Sequence, residues 1–264
     1  VSRFGDWTTP DYTLTKVIEN YTRRFKISFP NEELPAGRPL HTSPIFNKLT
    51  DANAVWGAAY GLEYPLWFQE IGKEPIEEVT FKRSNAFPVV AEEVRGVREN
   101  VGLMEITGFA KHEFSGHGAR EFLEKLLTNK IPENGRIALA PMLNEAGKLI
   151  GDFTVASLTD QITEEEKFIL FGSGIAEGYH QRWFLEHIDN DPTIRYKPIG
   201  NDMTGLSIAG PNSRDLLSSI TNEDVSSESF KFLDIKNMAI GMIPSLVGRI
   251  TFTGDLGYEI WVPS

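Results

Sequence analysis

The chain contains no cysteine, no surplus of basic residues and no long apolar run, and each of these absences excludes a class of function. With 0 cysteines in 264 residues, disulfides, thiolate-ligated zinc, iron–sulfur clusters and a cysteine nucleophile are excluded. The formal net charge is -11, so no basic surplus exists to bind nucleic-acid phosphates or an anionic membrane surface. No apolar run approaches the roughly 20 residues that a membrane-spanning helix needs. The missing thiols fit a reducing compartment, and we expect the cytoplasm, or the mitochondrial matrix in a eukaryote.

The composition that remains is that of an ordinary globular protein. Hydrophobic residues make up 41% and charged residues 24%, which is enough for one large domain or two small ones. Residues 29–37 form a polar stretch with two prolines, and we place a domain boundary there, between residues 1–36 and 37–264. Because the chain begins at Val1 and ends after a strand-like run, we expect it to be part of a longer polypeptide.

Hydrophobic spacing predicts helices mixed with strand hairpins, which is typical of an α+β fold with mostly antiparallel sheets. Asp11 is a candidate helix cap, and the aromatic, Gly- and Pro-rich residues 38–68 are expected to be irregular. Helices are predicted at residues 12–25, 88–99, 176–187, 210–217 and directly after Ser115. Strands are predicted at residues 111–115, 136–143, 149–158, 167–171, 193–198, 203–209, 236–242, 245–253 and 258–262.

Two familiar kinds of site are weakly represented. Residues 172–178 imitate a dinucleotide-binding turn, but their spacing is GxGxxxG and no Rossmann-type first strand precedes them, so a strand-to-helix turn is favoured. The chain has 5 histidines, and none forms HExxH or another close ligand pair. We therefore expect no metal site.

Two carboxylates interrupt apolar strands and are the main candidates for chemistry. Asp152 follows the turn at residues 144–147, and Glu259 lies between Tyr258 and Ile260. A carboxylate in such a setting loses solvation and requires compensation, or it serves a function. Alternatively, Asp152 caps a turn or pairs with a basic side chain, and Glu259 is a solvated edge residue. Spacing alone leaves these readings open.

Several stretches, taken together and in order, resemble the folate-binding aminomethyltransferase family. That family includes the glycine-cleavage T-protein and the C-terminal half of dimethylglycine and sarcosine dehydrogenases. The resemblance runs from about Arg38 to the end, and Gly-Leu-Glu-Tyr-Pro-Leu-Trp-Phe at residues 61–68 looks more like the dehydrogenase branch. The matching stretches are residues 38–46, 57–68, 97–105, 141–152, 206–211 and 253–260.

The resemblance implies roles for individual residues. Asp152 falls at the family's catalytic aspartate, beside the reactive nitrogens of tetrahydrofolate, and Glu259 falls where the family holds the pterin ring. One carboxylate can accept from the ring N–H and the amino group of a pterin together, as it does from arginine. Phe168 replaces a tyrosine that lies over the folate, and Tyr258 is assigned to the folate site with Glu259. Glu105 stands in place of a usual Asp.

The resemblance also implies a reaction. An upstream flavin domain, with FAD bound outside this chain, would oxidise an N-methylated amine such as dimethylglycine or sarcosine, and residues 37–264 would pass the carbon to tetrahydrofolate. Residues 1–36 would be the tail of that flavin domain, and the family's arginine for the folate tail would lie beyond Ser264, so we expect the isolated chain to be inactive. A non-catalytic folate-binding or packing module is the alternative. Folate proteins of iron–sulfur assembly carry a cysteine motif at residues 253–259, and the absence of cysteine disfavours them.

Overall fold

The computed structural model describes residues 8–264. The chain divides into two compact units, one that ends at Arg98 and one that spans Glu99–Ser264. The domain boundary near residue 36 stays a prediction. In the part of the chain that the structure describes, no helix combines the length and the apolar character that crossing a membrane requires.

Helix α1 (Pro10–Thr22) opens the first unit and begins earlier than the sequence suggested. The Thr9 hydroxyl accepts a hydrogen bond from the backbone N–H of Tyr12 at 3.2 Å, so Thr9 is the N-cap. Pro10 occupies the first turn, where a missing N–H costs nothing. The prediction of Asp11 as the cap was therefore wrong by two positions, although Asp11 still lies in the first turn.

The expectation of irregular structure over residues 38–68 was also wrong, because a β-hairpin forms there. Tyr60 and Gly61 have φ angles of 53° and 86°, which gives the two-residue turn that matches the twist of paired strands. The elements after α1 in this unit are α2 (Phe46–Asp51), β1 (Ala54–Ala59), β2 (Leu62–Phe68) and α3 (Ala86–Glu99), whose last residue reaches the second unit.

Two five-stranded sheets, paired antiparallel throughout the described chain, form the second unit. The first sheet has the order β5 (Arg136–Leu143), β6 (Leu149–Thr159), β7 (Glu166–Gly172), β4 (Ala110–Ser115), β8 (Arg195–Pro198). The second has the order β10 (Ile235–Ile240), β11 (Ile243–Gly248), β12 (Gly257–Pro263), β9 (Met203–Ala209), β3 (Gly102–Glu105). The helices are α4 (Ala119–Leu126), α5 (Glu177–Ile188) and α6 (Ser213–Ile220). The α+β prediction with antiparallel sheets is confirmed.

The apolar side chains of the second unit form three clusters that order its layers. Phe114 and Val155 of the first sheet pack with Leu123 of α4 and Phe184 of α5. On its other side the first sheet meets the second, and we call this space the inter-sheet layer, defined by Ile169, Phe171, Leu246 and Trp261. The far side of the second sheet packs against α6 through Leu217, Tyr258 and Ile260.

The glycine-rich turn after β7 has a packing role. Both neighbours of β7, β4 and β6, run antiparallel to it, so the turn does not belong to a parallel dinucleotide-binding unit. A Cβ at Gly174 would lie 1.9 Å from the carbonyl oxygen of Gly108, which leaves room for glycine alone. The preferred interpretation as a strand-to-helix turn agrees with this geometry.

Candidate functional site

Glu259 lies in the middle of the second sheet. Its strand, β12, is hydrogen-bonded to β11 on one side and to β9 on the other. Because side chains alternate along a strand, Tyr258 and Ile260 face α6, whereas Glu259 and Trp261 face the inter-sheet layer. The alternative that Glu259 is a solvated edge residue does not hold, since the strand is central.

The Glu259 carboxylate is partly buried and lacks a cation. Burial raises its pKa from the ordinary value of 4.5 to about 7, and a hydrogen bond from the Trp261 side chain acts in the opposite direction. Among the described residues, no salt bridge reaches it. A partly buried carboxylate with no cationic partner still has free capacity to accept hydrogen bonds. A ligand with two adjacent N–H groups could use that capacity.

Asp152 lies on β6, in the first sheet, and faces the same layer. Alternation places it on the side of Ala156, which is in the inter-sheet layer, while Phe153 and Val155 face the helices. Its side chain is exposed, and so is its cross-strand neighbour Pro141. The expectation that this carboxylate is desolvated was therefore wrong, because the second sheet does not cover this corner of the first.

A pair of stacked rings links the strands of the two carboxylates. Thr154, two residues beyond Asp152, is directly opposite Phe171 in the strand register. The Phe171 ring stacks on Trp261 with centroids 4.6 Å apart and an angle of 28° between planes, and Trp261 is two residues beyond Glu259. The strand of Asp152 thus borders the strand of Phe171, and the strand of Glu259 carries Trp261.

Phe168 and Tyr258, the two aromatic residues assigned to the folate site, are instead parts of the core. Both have 0% exposure, so neither offers surface to a ligand. Phe168 is packed on the helix side of the first sheet. Tyr258 stacks on Phe230 and accepts a hydrogen bond from Arg214 Nε at 3.2 Å. Alternation turns both rings away from the inter-sheet layer, so their assignment to the folate site stays a prediction that this packing does not support.

Sequence reasoning missed the residues that enclose Trp261. Lys111 has 0% exposure, and its Nζ donates to the carbonyl oxygens of Thr107 and Phe109 at 2.9 and 2.8 Å. Burial lowers the pKa of Lys111 to about 8. Nζ also lies 5.1 Å from the centre of the Trp261 ring. The sequence offers no clear signal for this, because Lys111 stands in a polar stretch of β4 beside His112 and Glu113.

A second polar cluster lies on the helix side of the first sheet. His112 Nδ1 and the Tyr196 hydroxyl are 2.8 Å apart, and burial lowers the pKa of His112 to about 3. His180 is also buried, with Nε2 placed 3.1 Å from the carbonyl oxygen of Ile150. In the described part of the chain, no group of three or more His, Cys, Asp or Glu side chains could hold a metal ion.

Two surface depressions, of about 200 and 450 Å³, lie away from both carboxylates. The smaller is lined by residues such as Glu113, Lys167 and Arg195, and the larger by residues such as Asn134, Glu164 and Lys236. Neither contains Asp152 or Glu259. Neither of these depressions therefore provides a cavity at the two carboxylates.

Comparison with protein families gives two matches along the chain. Residues 45–264 match the model described as "GCVT N-terminal domain", and residues 1–43 match "FAD dependent oxidoreductase central domain". In the structure comparison, the glycine cleavage system aminomethyltransferase T of Bartonella henselae matches with a TM-score of 0.66 at 19% identity. It covers 84% of this chain and 53% of that one.

Curated relatives are much longer than this chain. Mitochondrial dimethylglycine dehydrogenase of Rattus norvegicus is 31% identical over 261 residues, which is 98% of this chain and 30% of the rat protein. The formaldehyde-forming 4-methylaminobutanoate oxidase of Paenarthrobacter nicotinovorans is 29% identical over 273 residues, which is 99% of this chain and 31% of the oxidase. The chain spans about a third of the length of these relatives.

Proposed function

Since the chain belongs to the GCVT N-terminal domain family of aminomethyltransferases, we propose that it is a folate-dependent one-carbon transfer domain. Its one-carbon source would be an N-methylated amine of the dimethylglycine or sarcosine type, oxidised by a flavin domain of the same protein. The observation that carries the proposal is Glu259, a partly buried carboxylate with a raised pKa and no cationic partner among the described residues.

Glu259 is the proposed recognition group for the pterin ring. An ionised carboxylate accepts from a ring N–H and an adjacent amino group at once, and such charge-assisted pairs are about twice as strong as neutral hydrogen bonds. Glu259 suits a pterin because no charged side chain shifts its pKa in the ligand-free protein. The energetic cost of burying the carboxylate is recovered when the ligand supplies the donors.

Asp152 is the proposed acid–base residue. Its carboxylate is exposed and oriented towards the inter-sheet layer, and in the described chain no salt bridge occupies it. Tetrahydrofolate, when bound, supplies the nitrogen nucleophiles that take up the one-carbon unit. Asp152 would hold the nitrogen in place by a hydrogen bond and take the proton that the nitrogen loses. Phe168 and Tyr258 are buried in the core, and the proposal gives them no direct contact with the folate.

FAD has no proposed ligand in this chain. The match of residues 1–43 to an FAD dependent oxidoreductase central domain supports an association with a flavin domain. The glycine-rich residues 172–178 do not serve it, since Gly174 is packed against a backbone carbonyl. We therefore assign FAD to a partner domain, as the source of the oxidised one-carbon unit.

Binding and transfer are tested separately on the full-length gene product. Titration calorimetry with 5-formyltetrahydrofolate at pH 8 should show affinity lowered at least about tenfold by Glu259→Gln, because one acceptor pair is lost. The matched control, Glu186→Gln on the exposed side of α5, should bind as the wild type does. Equal affinity of Glu259→Gln and wild type would remove Glu259 from the proposal.

One-carbon transfer is measured by how much of the oxidised carbon is released as formaldehyde and how much is passed to tetrahydrofolate. With tetrahydrofolate present, the wild type should release little formaldehyde during amine turnover, since the carbon goes to folate. Asp152→Asn should bind folate within about threefold of wild type and slow transfer by about 10²-fold or more, the usual contribution of a general acid or base. If Asp152→Asn transfers carbon normally, the catalytic assignment is wrong. If the wild type binds no reduced folate, the packing-module alternative is favoured.

A further inference from the structure

Asp152 lies on a part of β6 that is paired with one neighbouring strand only. In the described chain, the register of β6 with β7 begins at Thr154, whereas the register with β5 continues to Leu149. Residues 149–153 therefore extend beyond the pairing with β7. Because a segment paired along one edge opens more easily than a central one, the position of Asp152 depends on what else holds this segment.

A β-bulge lies two residues before Asp152. The register of β6 with β5 shifts between Met142 and Leu143, which leaves Ile150 without a cross-strand partner. Such an extra residue bends its strand and changes the direction of the side chains beside it. Ile150 packs on the helix side of the first sheet, whereas Asp152 faces the inter-sheet layer. The backbone at Ile150 therefore determines where Asp152 points.

His180 of α5 holds the backbone at this bulge. Its Nε2 donates a hydrogen bond to the carbonyl oxygen of Ile150 at 3.1 Å. Because a carbonyl oxygen can only accept, this bond requires the proton on Nε2. Burial lowers the pKa of His180 from its ordinary value of 6.5, against the opposite effects of the Ile150 carbonyl and of Asp152. The ring is therefore neutral at neutral pH, with its proton committed to the carbonyl.

The imidazole of His180 is itself fixed in place. It has 2% exposure, and the ring of Phe153 meets it edge-on, with ring centres 4.8 Å apart and an angle of 63° between planes. The ring of His112 closes another side, with centres 6.2 Å apart. Gly151 allows the close approach, because a Cβ there would lie 2.5 Å from Nε2. The donor thus has little freedom to leave the carbonyl.

Packing alone does not account for a histidine at this position. Nδ1 of His180 is buried and has no hydrogen-bond partner in the part of the chain that the structure describes. Burying a polar atom without a partner costs free energy, and an apolar side chain of similar size would fill the space without that cost. What the histidine adds is the donor at Nε2.

We propose that His180 is a positioning residue: its Nε2–H holds the carbonyl of the bulged Ile150 and so fixes the direction in which the Asp152 carboxylate meets the folate. The inference rests on the proposed function for the role of Asp152, whereas the hydrogen bond and the bulge do not depend on that function. It extends the site through β6 to a helix residue that does not contact the ligand.

Two variants of similar shape separate the hydrogen bond from the packing. His180→Gln keeps an N–H donor near the end of the side chain, whereas His180→Met has none. In the full-length protein, His180→Met should slow transfer of the oxidised carbon to tetrahydrofolate by about tenfold or more, since a misplaced catalytic group is costly. His180→Gln should transfer within about threefold of wild type, because the donor is restored.

Folate affinity distinguishes positioning from a general loss of structure. Both variants should bind 5-formyltetrahydrofolate within about threefold of wild type, since Glu259 is unchanged and only the transfer step is affected. Ile131→Val, in the apolar cluster on the same side of the first sheet, should lower stability and leave transfer unchanged. Normal transfer in His180→Met would overturn the inference. Equal losses in His180→Met and His180→Gln would also overturn it, because they would indicate a packing role.

A second variant keeps the inference testable if His180→Met does not fold. Gly151→Ala places a Cβ against Nε2 and should displace the imidazole from the Ile150 carbonyl, so transfer should again slow by about tenfold or more. Gly178→Ala is the matched control, because its Cβ would have no atom within 4 Å, and it should transfer normally. Normal transfer in Gly151→Ala would count against the inference just as it would in His180→Met.

Hydrogen–deuterium exchange without folate, followed by mass spectrometry, separates this inference from the proposed function. Peptides that cover residues 149–153 should exchange at least about tenfold faster in His180→Met than in wild type, and His180→Gln should resemble wild type. Unchanged exchange in His180→Met would overturn the inference. If the wild type binds no reduced folate, or Asp152→Asn transfers carbon normally, the proposed function fails, and exchange alone decides whether His180 holds the Asp152 segment.

Discussion

Replacing Glu259 with Gln should stabilise the protein at high pH, although it removes a proposed ligand-binding group. The folded protein holds the Glu259 proton up to a pKa of about 7, whereas the ordinary value is 4.5. A group whose pKa is raised by folding favours the folded state below 4.5, and this advantage is lost as pH rises through 7. Gln carries no charge, so the variant escapes that loss.

The magnitude follows from the difference between the two pKa values. A difference of about 2.5 pKa units corresponds to about 3 kcal/mol at pH 8 and to less than about 1 kcal/mol at pH 5. Because the side chain is only partly buried, it keeps some hydration, and we expect a gain of about 2 kcal/mol at pH 8. In a unit of this size, that gain raises the Tm by roughly 4–8 °C.

Urea unfolding of wild type and Glu259→Gln, at steps from pH 5 to pH 8, measures the effect. The difference in unfolding free energy should grow with pH while the slope against urea stays constant. Taking the difference between the unfolding free energies of the two proteins at each pH cancels the contributions of all other titrating groups. Glu186→Gln, on an exposed helix, controls for the Glu-to-Gln change itself. A gain that is absent at pH 8, or equal at pH 5 and pH 8, would refute the reasoning that burial disfavours this carboxylate.

The same structure supports three further predictions. Reduced-folate affinity should rise about tenfold from pH 6 to pH 8 as Glu259 ionises, and calorimetry with Glu259→Gln should show no such rise. Gly205→Ala should cost about 2–4 kcal/mol by urea unfolding because its Cβ meets Trp261, whereas Gly178→Ala, with no atom within 4 Å, should be neutral or stabilising. The lowered pKa of His112 means that stability falls as pH drops below 6.5, by about 3 kcal/mol down to pH 4. The difference in unfolding free energy between wild type and His112→Gln isolates this pH dependence. If that difference does not change with pH, the prediction is wrong.

The predicted increase in stability bears on the function of Glu259. A residue that lowers folding stability at neutral pH is explained by what it binds, because an uncharged substitute of the same shape would fold better. The opposite pattern, in which Glu259→Gln destabilises the protein and leaves folate binding intact, would assign Glu259 to the fold.

Much of the second unit was predictable because its strands have a strong local period. The alternation of apolar and polar residues predicted the bounds of β5, β6 and β7 to within one or two residues. The predicted turn at residues 144–147 does join β5 to β6. The hairpin at residues 54–68 was missed, since its turn, Tyr60-Gly61, follows aromatic residues that hide the alternation. The helix cap at Thr9 was missed because Asp11 is an equally good capping residue by type.

The sequence by itself determined which residues alternate along each strand, and with that the side of the sheet on which Asp152 and Glu259 lie. Only the tertiary structure decided that Glu259 is partly buried and Asp152 exposed, and that Phe168 and Tyr258 are enclosed in the core. Strand alternation is a property of neighbours in the chain, which a local pattern records. Burial depends on which sheet or helix covers a given side, and that is set by contacts between residues far apart in sequence.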